Sequence, residues 1–308
     1  MATKCTATKS KAGIIGVGVM GAAIAKNLVE AGFDLIGYDI APAARAHLEK
    51  LGGRPAPSNA AVLAEADVVI TSLPSAKALA NVIDELVAGA KNLSSAKPCP
   101  IVAETSTFTL ADKQAAFDKL KAAGITMMDC PLSGSANRAA IRDVLVYASG
   151  DKAAYDRALP VFEGFSRAPL YVGAFGNGSK LKYIANHLVA IHTVAAGEAF
   201  ALARKAGLDP AMTYDAIIGG AGGSRAMEAR QEMLVSNEYL PVRTASIELF
   251  GKDLEVIGAF ADDVECPLPM FTATLPLYKA ALAQGMGQQD MAAISALLQQ
   301  MAGMKIGD

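Results

Sequence analysis

Two lysines stand two residues apart in the stretch GNGSKLKYIANH, which is typical of the start of a helix. A lysine can accept a proton when desolvation or a neighbouring cation lowers its pKa from about 10.4 towards the working pH. In a helix, Lys182 and Asn186 lie about 40° apart on one face, whereas Lys180 is turned about 200° from Lys182. Val189 and Thr193 continue the Lys182 face. The phase favours Lys182 as a general base; an ordinary exposed lysine is the alternative.

The three histidines are competing acid–base candidates, because histidine titrates near neutral pH. His47 falls in a predicted surface helix. His187 is rotated about 140° from Lys182, and His192 lies deep in the long helix, where we expect a buried, hydrogen-bonded side chain. Since no Ser-His-Asp or His-Asp order stands out either, we assign no catalytic role to a histidine.

A glycine-rich turn, GIIGVGVMGAAIAKN, lies near the N-terminus between an apolar run and an Ala-rich helical stretch. In this G-x-G-x-x-G pattern, Gly16 permits a tight turn and Gly18 lets the backbone approach a pyrophosphate. Gly21 lets the helix and the strand pack closely, and the phosphates bind at the helix N-terminus. The pattern predicts a dinucleotide site; a turn that only packs is the alternative.

Asp39 follows the second predicted strand, about 20 residues beyond the glycine turn, where a carboxylate can accept hydrogen bonds from the adenosine ribose hydroxyls. A carboxylate there would also repel a 2′-phosphate, which favours NAD over NADP. On its own, Asp39 would be interpreted as a helix cap before Pro42. Together with the glycines, it predicts NAD as the cofactor.

Two kinds of element must position these residues. Over residues 12–173, short apolar runs alternate with helical stretches, which is typical of βαβ units around a parallel sheet. After Gly176 the remaining segments are helical. We therefore predict an α/β, Rossmann-type, doubly wound, mostly parallel sheet at the N-terminus and an all-α C-terminal domain, joined by a long interdomain helix. The NAD-binding domain would span residues 1–176, with 1–11 a frayed tail, and the helical substrate and dimerisation domain residues 177–308.

Composition narrows the class of partner. The 308-residue chain has a net charge of −2, which gives no electrostatic footprint for nucleic acid or an anionic membrane and favours a small molecule. The apolar stretch over residues 185–203 is interrupted by His187, His192 and Glu198, which favours a buried helix over a membrane span. The four cysteines form no C-x-x-C pair, so neither a metal site nor a disulfide framework is indicated. The basic N-terminus has no apolar run, and we expect a cytoplasmic protein.

Short motifs are spread over nearly the whole chain. They are GVGVMG (16–21), SLP (72–74), ETSTFT (104–109), DCPLSGS (129–135), the lysine stretch (176–187) and FGKDL (250–254). In this order they resemble the β-hydroxyacid dehydrogenase family, which includes 3-hydroxyisobutyrate and L-threonate dehydrogenases. DCPLSGS resembles the family's D-x-P-x-S-G-G substrate loop. The lysine stretch resembles its G-x-G-x-x-x-K-x-x-x-N motif, which independently places the family's lysine at Lys182.

The resemblance implies roles for individual residues. Ser133 and Gly134, with Ser135 beside them, would hold the substrate carboxylate, and Lys252 and Asp253 would close the site from the helical domain. Cofactor contacts are implied for Val19, Met20, Leu73, Pro74, Thr107 and Lys252. Each has a simpler interpretation: Ser133-Gly134 as a turn, Thr107 as a helix cap, and Lys252-Asp253 as a solvated pair.

The chain departs from the family pattern after the substrate serine. Ser135 stands where the family has a second glycine, and Arg138 and Arg142 stand where smaller residues are more usual. Because arginine binds carboxylates in a bidentate fork, Arg138 or Arg142 is a candidate for reading an extra acidic or polar group; a surface position is the alternative. The stretch GGAGGSRAMEARQEML (219–234) looks closer to the L-threonate type, which favours a polyhydroxylated substrate.

The resulting hypothesis is NAD-dependent oxidation of a small 2- or 3-hydroxy acid, with threonate or erythronate as candidates, by hydride transfer to the cofactor and proton transfer to Lys182. No metal is needed and no decarboxylation is expected. An NADPH-dependent reductase of aldehyde acids such as glyoxylate or succinic semialdehyde is one alternative. A non-catalytic dinucleotide sensor is another. The family resemblance also implies a homodimer or homotetramer.

Overall fold

The computed structural model describes residues 11–91, 93, 98–239 and 245–305. The predicted N-terminal tail falls outside these residues except for Lys11, which begins the first strand and so does not belong to a tail. The chain divides into two compact units, Met1–Lys182 and Tyr183–Asp308.

A six-stranded parallel sheet forms the centre of the first unit, in the order β3-β2-β1-β4-β5-β6. Its strands are β1 (Lys11–Ile15), β2 (Asp34–Tyr38), β3 (Arg54–Pro55), β4 (Val68–Thr71), β5 (Ile101–Glu104) and β6 (Thr126–Asp129). The connecting helices are α1 (Val19–Glu30), α2 (Pro42–Lys50), α3 (Asn59–Glu65), α4 (Ala76–Ala90) and α5 (Leu110–Ala122). The strand order reverses direction beside β1, and ligands bind at such switch points in open α/β sheets.

The sheet is covered on both faces, which explains why its strands are apolar without alternation. Neighbouring residues of one strand enter two different cores: Ile14 packs with Leu28 and Phe162, whereas Ile15 packs with Leu86 and Leu120. Side-chain oxygens start three of the flanking helices, at Ser58, Ser75 and Thr109. The predicted doubly wound sheet is confirmed.

A smaller three-stranded sheet follows β6. It contains β7 (Leu132–Ser133), antiparallel to β8 (Leu145–Ala148), and β9 (Ala168–Tyr171), parallel to β8. Helix α6 (Ala136–Ala139) lies between β7 and β8, and α7 (Lys152–Phe165) lies between β8 and β9.

Helices make up the C-terminal part of the chain. They are α8 (Asn177–Lys205), α9 (Pro210–Ile218), α10 (Arg225–Glu228), α11 (Gln231–Ser236), α12 (Ile247–Asp263), α13 (Pro269–Ala283), a 3₁₀ turn (Met291–Ala293) and α14 (Ile294–Met301). Over residues 177–239 and 245–305 there is no strand beyond an isolated bridge between Ser246 and Asp290. In the part of the chain that the structure describes, no helix is both long and apolar enough to cross a membrane. The predicted all-α region and its long first helix are confirmed.

Candidate functional site

The glycine turn joins β1 to α1. Gly16 has a φ of +88°, and a Cβ there would lie 2.2 Å from the Ser72 carbonyl oxygen. A Cβ on Gly21 would lie 2.0 Å from the Gly16 carbonyl oxygen, so the fold itself requires both glycines. Gly18 differs, because a Cβ there would meet no atom within 4 Å. Its missing side chain leaves the N-terminus of α1 open to an approaching ligand.

The N-terminus of α1 suits an anion. Gly18 is the capping residue and supplies no side-chain oxygen, and the first turn holds no acidic residue. The first backbone N–H groups of a helix carry partial positive charge and need acceptors, and phosphate oxygens supply them. Val19 is exposed and Met20 half-buried at this end. These residues fit the pyrophosphate of a dinucleotide.

Asp39 lies next to the glycine turn. Its carboxylate accepts the Val17 N–H at 2.7 Å and the Ala41 N–H at 2.8 Å. The capping position of α2 is Ala41, so Asp39 supports the start of that helix and is tied to the turn as well. A carboxylate has about four acceptor sites, and these two bonds leave capacity for ribose hydroxyls.

The loops after β4 and β5 are joined to each other. The Leu73 N–H donates to Ser106 Oγ at 2.8 Å, which links the SLP block, with Pro74, to the ETSTFT block. Thr107 is half-buried and does not cap α5, because Thr109 Oγ1 accepts the Asp112 N–H at 3.1 Å. The helix-cap interpretation of Thr107 is therefore wrong.

Ser133, Gly134 and Ser135 lie where β7 runs into α6. Ser133 pairs with Leu145 of β8 and is half-buried, whereas Gly134 is exposed. Ser135 caps α6 by accepting the Arg138 N–H at 3.4 Å. The residue that replaces the family's second glycine thus has a structural role, and its part in substrate binding stays a prediction.

The two candidate arginines have partners within the fold. Arg138 forms an ion pair with Asp143, which also accepts from Arg167 Nε at 2.8 Å. The Arg138 hydrogen bond holds the pKa of Asp143 below its usual value. Arg142 Nη2 donates to the Asn27 carbonyl oxygen at 3.1 Å, in the C-terminal half of α1 and therefore away from the glycine turn.

A buried ionic network, not foreseen from the sequence, lies at the carboxyl ends of β5 and β6. Lys113 Nζ is 2.7 Å from both Glu104 Oε2 and Asp129 Oδ1, and all three side chains are fully buried. Burial alone would lower the pKa of Lys113, but the two carboxylates outweigh it and raise the pKa above its usual value. The available signal was an acidic residue ending two apolar runs, IVAE and TMMD; no spacing marked Lys113.

The same network holds the first turn of α8. The Asp129 carboxylate accepts the Ser179 N–H at 2.7 Å and the Ser179 hydroxyl at 2.8 Å. The Gly178 N–H donates to Ser149 Oγ at 3.0 Å, and a Cβ on Gly178 would lie 2.3 Å from the Tyr147 carbonyl oxygen. The Gly178-Ser179 pair therefore docks the helix end that carries Lys182.

Helix α8 is continuous through Lys182 and Asn186, as the phase argument requires. Lys180 is exposed, Lys182 half-buried and Asn186 buried. Asn186 Nδ2 donates to Asp253 Oδ2 of α12 at 2.8 Å. Asn186 and Asp253 are thereby brought together, whereas Lys252 is exposed and turned about 100° from Asp253 on α12.

The three histidines differ in burial: His47 is exposed, in agreement with the predicted surface helix, whereas His192 is half-buried and not buried as predicted. His187 packs its ring 5.6 Å from that of Phe271, and burial followed by the charge of His192 lowers its pKa. Among the described residues, no group of three or more His, Cys, Asp or Glu side chains could hold a metal ion.

Comparison with known proteins identifies the family. The NAD binding domain of 6-phosphogluconate dehydrogenase matches residues 11–173, and the NAD-binding domain of NADP-dependent 3-hydroxyisobutyrate dehydrogenase matches residues 176–298. The L-threonate dehydrogenase of Escherichia coli strain K12 is 32% identical over 291 residues, which cover 94% of this chain and 95% of that protein.

Two solved structures share the fold. The 3-hydroxyisobutyrate dehydrogenase from Salmonella typhimurium is 32% identical, with a TM-score of 0.80 over 94% of this chain and 100% of that one. The Mycobacterium tuberculosis 3-hydroxyisobutyrate dehydrogenase, solved with L-serine, is 27% identical, with a TM-score of 0.83 over 95% and 100% of the two chains. On these matches the chain belongs to the β-hydroxyacid dehydrogenase family and is an NAD(P)-dependent oxidoreductase acting on CH–OH groups.

Proposed function

We propose that this protein oxidises a small 2- or 3-hydroxy acid with NAD, and that Lys182 removes the hydroxyl proton. The observation that carries the proposal is the continuous helix α8, on which Lys182 and Asn186 share one face while Lys180 is exposed on another. The same helix begins at a turn fixed to Asp129, the first residue of the DCPLSGS block.

The residues at the glycine turn fit a dinucleotide. Gly18 leaves the α1 N-terminus open for the pyrophosphate, and Asp39 retains acceptor capacity for the ribose hydroxyls. The remaining proposed contacts come from Val19, Met20, Leu73, Pro74, Thr107 and Lys252. A dinucleotide held there would supply the acceptor for the hydride of the carbinol carbon.

Residues of this chain handle the proton and the substrate. The Lys182 amine takes the proton of the substrate hydroxyl as the carbinol becomes a carbonyl, so that proton and hydride leave the same alcohol. Asn186 is held by Asp253 and keeps a side-chain carbonyl oxygen that accepts hydrogen bonds. Ser133 and Gly134 would bind the carboxylate, which leaves the hydroxyl-bearing carbon free to react.

The names of the relatives support a hydroxy acid. L-threonate is a polyhydroxylated acid, and 3-hydroxyisobutyrate is a branched one; both carry a carboxylate close to an alcohol. We favour a polyhydroxylated acid such as threonate or erythronate, because the stretch over residues 219–234 looks closer to the L-threonate type; overall identity does not separate the two, since it is 32% to both the E. coli L-threonate dehydrogenase and the Salmonella typhimurium 3-hydroxyisobutyrate dehydrogenase.

A second candidate rests on Arg45. Its guanidinium lies 5.5 Å from the centre of the Tyr38 ring and donates to the Asp39 carbonyl oxygen at 2.6 Å. An arginine beside this position can accommodate a 2′-phosphate. NADPH-dependent reduction of an aldehyde acid is therefore the second candidate, which the Asp39 carboxylate disfavours by repulsion.

A reduction assay separates the candidates. The protein is incubated with NAD or NADP and a panel of three- to five-carbon hydroxy acids, including threonate, erythronate and 3-hydroxyisobutyrate, while reduced nicotinamide is followed by absorbance. We expect NAD reduction with at least one acid, and a kcat/KM about tenfold lower with NADP. Turnover of glyoxylate or succinic semialdehyde with NADPH alone would establish the second candidate. Hydride transfer with any acid of the panel would exclude the non-catalytic dinucleotide sensor.

A further inference from the structure

The Asp129 carboxylate makes more contacts than its place at the end of a strand requires. Its two oxygens accept from Lys113 Nζ, from the Ser179 backbone and hydroxyl at 2.7 and 2.8 Å, and from Ser149 Oγ at 3.3 Å. Asp129 is fully buried and Ser179 almost so. Asp129 therefore acts as a buried cap on the first turn of α8, because its acceptor oxygens meet the N–H of a helix start.

Asp129 is also one member of a chain of contacts that joins four blocks of the sequence. The Leu73 N–H donates to Ser106 Oγ, and the Ser106 N–H donates to Glu104 Oε1, both at 2.8 Å. Glu104 faces Lys113, and Lys113 faces Asp129. The contacts end at Ser179, three residues before Lys182 on the same helix.

We infer that Asp129 is a positioning residue, which sets the place of Lys182 relative to the loop carrying Ser133. The inference rests on the proposed function, in which Lys182 takes the hydroxyl proton. Asp129 lies four residues before Ser133 and contacts the turn that precedes Lys182, so one side chain constrains both. A misplacement of about 1 Å in a catalytic group can cost about a hundredfold in rate.

The charge of the network shows which variant tests this. Glu104, Lys113 and Asp129 sum to one negative charge, so Asp129→Asn leaves a matched Lys113–Glu104 pair and should fold. Glu104→Gln is the matched control: it also removes one carboxylate from Lys113 and leaves a matched pair, and its amide oxygen can still accept the Ser106 N–H. The Asp129 carboxylate contacts α8, whereas the Glu104 carboxylate contacts Lys113 and the Ser106 N–H.

We expect Asp129→Asn to lower kcat by about ten- to a hundredfold while the dissociation constant of NAD, measured by fluorescence, changes by less than about twofold. Glu104→Gln should lower kcat by less than about threefold. A general weakening of the fold would change NAD binding and would affect both variants alike. Equal loss of kcat in the two variants would overturn the inference, because charge and not contact with α8 would then matter.

A double-variant cycle tests whether Asp129 acts through Lys182. With Lys182→Ala already in place, Asp129→Asn should change the residual rate by less than about threefold, because residues that act as a unit are not additive. If the two substitutions lower the rate independently, so that their effects multiply in full, the inference is overturned and the proposed function is not. The same holds if Asp129→Asn keeps the parent kcat while Lys182→Ala is slow. A parent-like Lys182→Ala would overturn the proposed function and the inference with it.

Ser179→Ala carries the test if Asp129→Asn does not fold. It removes the hydroxyl bond to Asp129 and keeps the backbone bond. We expect kcat to fall by about three- to tenfold with NAD binding unchanged. A parent-like kcat in Ser179→Ala would contradict the positioning role.

Discussion

The glycine turn and the first turn of α8 are held by different kinds of interaction. At the glycine turn, backbone atoms dominate: the Gly16 N–H donates to the Tyr38 carbonyl oxygen at 2.9 Å, and a Cβ on Gly16 or Gly21 would clash with a neighbouring carbonyl oxygen. At α8, a carboxylate 50 residues earlier in the chain accepts two bonds from Ser179, and a buried lysine neutralises part of its charge.

The difference determines how each region responds to change. A steric constraint depends on one missing side chain, so a single Cβ breaks it locally. An ionic network is shared, so removing its cation leaves buried charge on every remaining member. The proposed dinucleotide-binding turn thus depends on side chains that its glycines lack, whereas the proposed proton-transfer region depends on charged side chains.

The largest expected effect on stability is in the buried network of Glu104, Lys113 and Asp129. Lys113→Met leaves Glu104 and Asp129 buried without their cation and should lower the free energy of unfolding by about 3–5 kcal/mol at neutral pH. Lys119→Met is the control, because Lys119 lies on the same helix and pairs with Asp84 at the surface, where the loss should stay below about 1 kcal/mol. Urea unfolding measures both. Equal losses of stability in Lys113→Met and Lys119→Met would show that the buried network contributes no more than a surface ion pair.

The pH dependence of that loss follows from the raised pKa of Lys113. Because the folded protein holds this proton more tightly than the unfolded chain, the contribution of Lys113 is fully present below about pH 10.4 and declines as the pH rises through the higher folded pKa. The stability deficit of Lys113→Met relative to the parent should therefore be constant below about pH 10.4 and should shrink as the pH rises above that value. Urea unfolding at a series of alkaline pH values measures the deficit, and a deficit that stays constant above about pH 10.4 would contradict this account.

The contrast also explains what could be predicted from the sequence. The glycine turn and Asp39 lie within one βαβ unit, so their spacing carries the information. The helix phase of Lys182 and Asn186 is likewise local. Lys113, Glu104 and Ser179 were missed because their contact depends on how β5, β6, α5 and α8 pack. The pairing of Asn186 with Asp253 across 67 residues had no local signal either.

At the glycine turn, we expect Gly21 to be needed for stability and Gly18 to be needed for NAD binding. Gly21→Ala places a Cβ against a backbone oxygen and should cost about 1–3 kcal/mol of stability. Gly18→Ala meets no atom of the fold and should leave stability within about 0.5 kcal/mol, while raising the dissociation constant of NAD about tenfold. Unchanged NAD affinity in Gly18→Ala would contradict the proposal that the pyrophosphate binds at this turn.

The next effect is expected at Asp39, whose carboxylate we propose to select between NAD and NADP by its charge. Asp39→Ser should raise the NADP/NAD ratio of kcat/KM by about tenfold, which corresponds to roughly 1.4 kcal/mol. Steady-state kinetics with both cofactors measure the ratio. Should the ratio stay at the parent value, Asp39 does not select the cofactor.

The smallest effects are expected at the two arginines. Arg138→Ala should raise KM for the best substrate by about threefold and leave NAD affinity unchanged, which would add a charged substrate contact to the DCPLSGS block. Arg142→Ala is the control, because Arg142 is bonded to Asn27 in α1. If both variants keep the parent KM and substrate ranking, the two arginines serve only the fold.

The most direct test of the central claim is the kcat of Lys182→Ala beside that of Lys180→Ala, with the best hydroxy acid at saturation. The two lysines share a sequence neighbourhood and differ in helix phase and exposure. We predict a loss of about 10² to 10⁴ in kcat for Lys182→Ala with NAD affinity nearly intact, and retention of most of the activity in Lys180→Ala. Equal losses, or a larger loss in Lys180→Ala, would contradict the assignment of Lys182 as the proton acceptor.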